Sequence, residues 1–239
     1  MRTSNPALSD KTFSGELSDT NGIMTVDGTV NKTFILVGLA FISASWIWMN
    51  QARFIPLILP AIIAAVIVAF LTIFKKDWAP VTAPIYALCE GVALGGISIY
   101  FEKMYPGIVF QAIGLTMTTL AALLFAYRAR LIRATENFRL GIFAATGGIC
   151  IYYLIDLVFG FFGGNMPLIH SAGIMGIGFS VFVVIIAALN LVLDFDFIEK
   201  GAGMHAPKYM EWYAAFGLMV TLVWLYMEIL RLLAKLNRR

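Results

Sequence analysis

Residues 171–193 read SAGIMGIGFSVFVVIIAALNLVL, without one charged side chain. The hydrocarbon core of a bilayer takes about 20 consecutive apolar residues as one helix, and this stretch is long enough to cross it. Its end is abrupt: Asp194, Asp196, Glu199 and Lys200 follow at once. Outward from there the pattern repeats in six more apolar runs closed by polar residues or glycines. Run 34–49 ends at Asn50 and Arg53, run 54–74 at Lys75, Lys76 and Asp77, and run 79–101 at Glu102 and Lys103. Run 107–127 is followed by Arg128, Arg130 and Arg133, run 140–162 by Gly163, Gly164 and Asn165, and run 212–234 by Lys235, Arg238 and Arg239. Pro56 and Pro60 sit in or near the first turns of the second run, where proline costs least.

Composition agrees. The 239 residues are 60% hydrophobic and only 13% charged, and mean hydropathy is +0.85, against about 25% charged residues in an ordinary soluble domain. This excludes a water-soluble enzyme, a nucleic-acid binder and a disordered chain; the formal charge of +3 is too weak to argue for nucleic acid. The alternating ten-residue segments of a membrane β-barrel are absent. The expectation is an all-α integral membrane protein with seven transmembrane helices over residues 33–239. Residues 1–32, rich in Ser, Thr, Asn, Asp and Gly, read as a polar, flexible tail. They lack the apolar stretch and cleavage site of a signal peptide.

Basic residues set orientation. With the N-terminus in the cytoplasm, the inner segments hold Arg2, Lys11 and Lys32, then Lys75 and Lys76, then Arg128, Arg130, Arg133 and Arg139, then Lys200 and Lys208; the outer loops hold Arg53 and Lys103. Seven crossings leave the basic C-terminal tail outside, against the rule, and a re-entrant last segment would return it. Seven full spans is the reading adopted. Trp46, Trp48, Trp78, Trp212 and Tyr105 lie near run ends, as interfacial aromatics do, whereas Trp224 reads as a packing residue. Gly91 and Gly95 form a GxxxG pair with Gly96 beside it, and Gly141, Gly147, Gly148, Gly173, Gly176 and Gly178 mark two other runs; small residues let helices approach closely, here within one chain. Cys89 and Cys150 read as buried packing residues, and the cysteines and His170 and His205 show no zinc-type spacing.

Acids inside the runs carry the functional argument. A charge near the bilayer centre is costly and faces an interior, a partner or water. Glu90 stands mid-run beside Cys89 and Gly91, with no mid-span lysine or arginine to neutralise it. Asp156 lies near the outer end of its run, within reach of the interface. Glu228 precedes Arg231 by three residues and Asp196 precedes Lys200 by four, spacings that pair on one helix face. Asp194 has Phe197 and Ile198 at those positions instead. Carboxylate oxygens suit hard cations such as Ca²⁺, acid rings favour cations over anions, and clustered carboxylates can share a proton.

The stretch YALCEGVALGGIS, residues 86–98, resembles the third-helix signature of the Bax inhibitor-1 family, the transmembrane Bax inhibitor motif proteins. FAYRAR at the end of the fourth run, LVLDFDFIEKGAG (191–203) and APKYMEWYAAFGLMVTLVWLYMEILRLL (206–233) extend the likeness. Together with SNPAL (4–8) and MTVDGTVNKT (24–33) they are similar to a bacterial branch of that family. The resemblance covers nearly the whole chain. It implies seven helices with the last central between two layers of three, in a bacterial inner membrane. It also implies a pH-sensitive Ca²⁺ leak gated by two aspartates, one on the sixth helix and one on the seventh, that share a proton. Asp194 matches the first. One register places Glu228 at the second, but Glu228 lies 16 residues beyond Trp212, about 24 Å along a helix, on the opposite side of the membrane from Asp194. The preferred register places Thr221 there, so the pair is either absent or rebuilt from Asp194 with Asp196, Glu211 or Glu90.

Enzyme readings fit poorly, and no cofactor is expected. The motifs of intramembrane aspartyl and serine proteases are incomplete, and no mid-helix lysine offers a retinal Schiff base. A secondary transporter lacks a clear inverted repeat. The rival to conduction is a non-conducting membrane regulator that binds another membrane protein, such as a quality-control protease.

Overall fold

The computed structural model describes residues 22–51, 55–164, 166, 169 and 171–238. The SNPAL segment, Arg53, Asn165 and His170 lie outside the described residues, as does most of the N-terminal tail. The described residues fold into seven α-helices: α1 Val26–Met49, α2 Ile58–Phe74, α3 Ala79–Met104, α4 Ile108–Arg128, α5 Glu136–Phe161, α6 Ile174–Gly203 and α7 Met210–Asn237. Six are long and apolar enough to cross a membrane, and α2 is a shorter apolar helix. Among the described residues there is no strand, only an antiparallel bridge between Ile23 and Pro207.

Local chemistry sets the helix ends. Thr25 is extended and its Oγ accepts the Gly28 N–H at 3.0 Å, capping α1, while Asp27 in the first turn favours the positive end of the helix dipole. Thr135 caps α5 through the Phe138 N–H. Gly107, at φ +86°, takes the left-handed conformation that begins α4. A 3-10 turn, Lys76–Trp78, carries α2 directly into α3. Five of the apolar runs are shorter than the helices they belong to, whereas α2 starts four residues inside its run, at Ile58. α6 continues past Leu193 to Gly203, so Asp194, Asp196, Glu199 and Lys200 ride on the helix and do not follow it. Likewise α1 begins at Val26, within the segment read as polar tail.

The chain divides into two compact units. One comprises residues 22–104 with Asp196–Val220, the other Tyr105–Phe195 with residues 221–238. In the first unit α1 packs on α3 at the GxxxG pair. A methyl group on Gly91 would strike the Ala40 carbonyl and the Ser43 hydroxyl, and one on Gly95 would strike the Ala44 backbone. α2 meets α3 through a Thr72–Thr82 hydroxyl bond of 2.8 Å and through Ile58 against Gly96. Tyr86 stands edge-on to Phe216, with ring centres 5.0 Å apart. In the second unit Ile142 and Ile149 of α5 pack against Val183, Ile186 and Leu193 of α6, flanked by Phe138, Phe179 and Trp224; Trp224 is thus a packing residue, as expected. The Asn190 amide donates to Thr146 at 2.9 Å.

Two expectations about small residues differ from the structure. Gly141, Gly147, Gly148, Gly173 and Gly178 have open space where a methyl would sit, so they do not mark close approaches among the described residues. Cys150 is exposed and Cys89 half-buried, and both thiols are free; on a face turned to lipid a thiol behaves as a small apolar group.

Candidate functional site

In the first unit α3 carries Glu90 one residue before the glycine that touches α1, so its carboxylate is half-buried beside a tight helix contact. Among the described residues no hydrogen bond or ion pair is made by Glu90. Asp196, on the polar extension of α6, pairs with Lys200 at 3.0 Å, one turn further on.

Glu211, in the first turn of α7, is 0% exposed. Its Oε1 accepts the Thr25 N–H at 2.9 Å, the Thr25 hydroxyl at 2.8 Å and Lys208 Nζ at 2.8 Å. Its Oε2 is bound by Lys32, whose ammonium also lies 5.5 Å over the Trp212 ring. A fully buried carboxylate is tolerated only when its lone pairs are met in this way.

The second unit holds Asp156, Asp194 and Glu228. Asp156 accepts the Met166 N–H at 2.9 Å and so ties down the chain that follows α5. Asp194 is 1% exposed on α6. Glu228 is 2% exposed and sits in a closed triangle. Tyr153 of α5 donates its hydroxyl to the carboxylate at 2.9 and 3.0 Å, Arg231 Nη1 donates to it at 3.0 Å, and the same Nη1 donates to the Tyr153 oxygen at 2.8 Å. The guanidinium also covers the Tyr153 ring at 5.2 Å. One turn on, Lys235 is 6% exposed and donates to the Gly176 carbonyl at 2.9 Å and to Ser180 Oγ at 2.8 Å, both on α6.

The spacing therefore identified two pairs in the sequence, Glu228 with Arg231 and Asp196 with Lys200. It missed Tyr153, Lys235, Thr25, Lys32 and Lys208. Lys235 had a readable signal: Glu228, Arg231 and Lys235 recur at three and four residues and share one face of α7. Tyr153 and Thr25 had none, because their partners lie 75 and 186 residues away. Among the described residues no three His, Cys, Asp or Glu side chains gather to hold a metal ion. The arrangement thus offers single carboxylates along apolar helices.

A protein family described as Bax inhibitor 1 like matches residues 5–238. No curated protein matches the chain.

Proposed function

The chain belongs to the Bax inhibitor 1-like family, and from that premise we propose that it is a cation leak channel with Ca²⁺ as the permeant ion. We infer seven crossings with α7 central, the N-terminus in the cytoplasm and a bacterial inner membrane as its home. α2 supports the seventh crossing. Its 17 residues span about 26 Å, close to the roughly 30 Å of a hydrocarbon core. α7 is the most deeply buried of the six long apolar helices, which supports its central place.

One observation carries the conducting reading. Glu90 is a carboxylate within a membrane-length apolar helix, and no cation of the described chain answers it. A residue so costly to insert is retained where water or a passing ion meets it. Asp194 joins it through its burial and its match to the sixth-helix aspartate of the resemblance. Asp196, Glu211 and Glu228 each already hold a lysine or arginine, which leaves Glu90 and Asp194 as the acids of the ion path. No catalytic step or cofactor enters this reading.

The test is reconstitution in liposomes loaded with a Ca²⁺ dye. The protein should admit Ca²⁺ faster than empty liposomes do, with a rate that differs between about pH 6 and 8, and Asp194→Asn should alter it. Folded protein that admits no Ca²⁺ anywhere in that range would instead make the chain a non-conducting regulator of another membrane protein.

A further inference from the structure

Two stretches that carry the family resemblance, 24–33 and 206–212, meet each other in the first unit. Met24 N–H donates to the Ala206 carbonyl at 2.7 Å, and Lys208 N–H donates to the Gly22 carbonyl at 3.1 Å. Ile23 and Pro207 face each other between these bonds as an antiparallel bridge. Met24 is buried. One residue on, Thr25 places its N–H and its hydroxyl on Glu211 while capping α1. Lys32, two turns along α1, binds the other oxygen of the same carboxylate. Gly28 is the residue that permits this approach, since a methyl there would overlap the Glu211 carboxylate.

We propose that residues 22–25 and the first two turns of α1 form a strap, latched on the buried Glu211, that holds the turn between α6 and α7 and restrains the first turn of α7. The latch is a small set of polar bonds to one side chain, whereas the middle of α1 is held by close packing on α3. Local opening of such a unit costs less than unfolding the helices. When the strap opens, Lys208 and the start of α7 loosen together, and the Ca²⁺ leak rises. The leak clause rests on the conducting reading above; the latch itself does not.

The test uses the full chain in two forms. Gly28→Ala keeps every charge and favours helix in α1, yet displaces the carboxylate. Ile23→Cys with Pro207→Cys, on a Cys89→Ser, Cys150→Ser background, locks the strap, because facing residues of a non-hydrogen-bonded antiparallel pair lie at disulfide distance. Amide exchange at Met24 and Lys208 should rise together, about tenfold or more, in Gly28→Ala while α4 is unchanged. The leak should rise in Gly28→Ala and fall when the locked form is oxidised. Unchanged exchange at those two amides overturns the latch. Faster exchange with a wild-type leak that does not change overturns the strap as a regulator. If folded wild-type protein shows no leak, the conducting reading fails, and amide exchange alone decides the latch. If Gly28→Ala does not fold, the comparison of oxidised with reduced lock decides in its place.

Discussion

Glu228 shows how a buried charge is accommodated one atom at a time. Its carboxylate meets a phenol and a guanidinium, and those two groups bind each other. Removing one member strands the rest unequally. Arg231→Met leaves a carboxylate that is 2% exposed without its cation. It should cost about 3 kcal/mol, the low end for breaking a buried pair, because Arg231 itself is a third exposed. Replacing both, Glu228→Leu with Arg231→Met, should cost far less than Arg231→Met alone. Tyr153→Phe removes one donor and should cost about 1 kcal/mol, as hydrogen bonds between membrane helices do. Unfolding in micelles measures all three. An Arg231→Met protein as stable as wild type would show that the triangle contributes nothing. The triangle also marks a limit of reading by spacing: Arg231 was visible from Glu228, three residues away, but Tyr153 belongs to another helix and left no trace in the local pattern.

Helix contacts separate the glycines that matter from those that do not. GxxxG at Gly91 and Gly95 was legible, because small residues at that spacing open a groove, and the backbone of α1 fills it. The glycines of α5, at 141, 147, 148 and 160, do not form that spacing and have open space around them. Glycine content alone therefore does not mark a contact; the spacing and the neighbouring helix decide. Gly91→Ala should therefore destabilise by about 1–3 kcal/mol through overpacking against Ala40 and Ser43. Gly148→Ala, exposed on α5, should be neutral or stabilise by about 0.5–1 kcal/mol, because alanine favours the helix. Equal effects at the two positions in the same unfolding assay would contradict the packing described for α1 and α3. The helix ends follow a related rule. Apolar runs located each helix but stopped short where polar residues continued it, as α6 does from Asp194 to Gly203. Hydropathy reports what faces lipid; backbone hydrogen bonding continues beyond it.

For the molecule as a whole, the class of fold was legible because lipid imposes long apolar helices on any chain that crosses it by helix. Candidate acids were legible for the same reason, since an acid stands out in an apolar run. Their roles were less so. Glu211 is one of three acids the sequence leaves open as a partner for Asp194; its carboxylate holds Thr25, Lys32 and Lys208, and those contacts span most of the chain length. Glu90 lies mid-helix, half-buried, and without an ion pair or hydrogen bond among the described residues. Its charge is the centre of the account. The most direct measurement is Ca²⁺ entry into dye-loaded liposomes carrying Glu90→Gln beside wild type at equal, folded density. Entry about tenfold slower in Glu90→Gln is the predicted result, since losing a lining carboxylate removes the attraction that draws a cation in. Equal entry in the two preparations would contradict it.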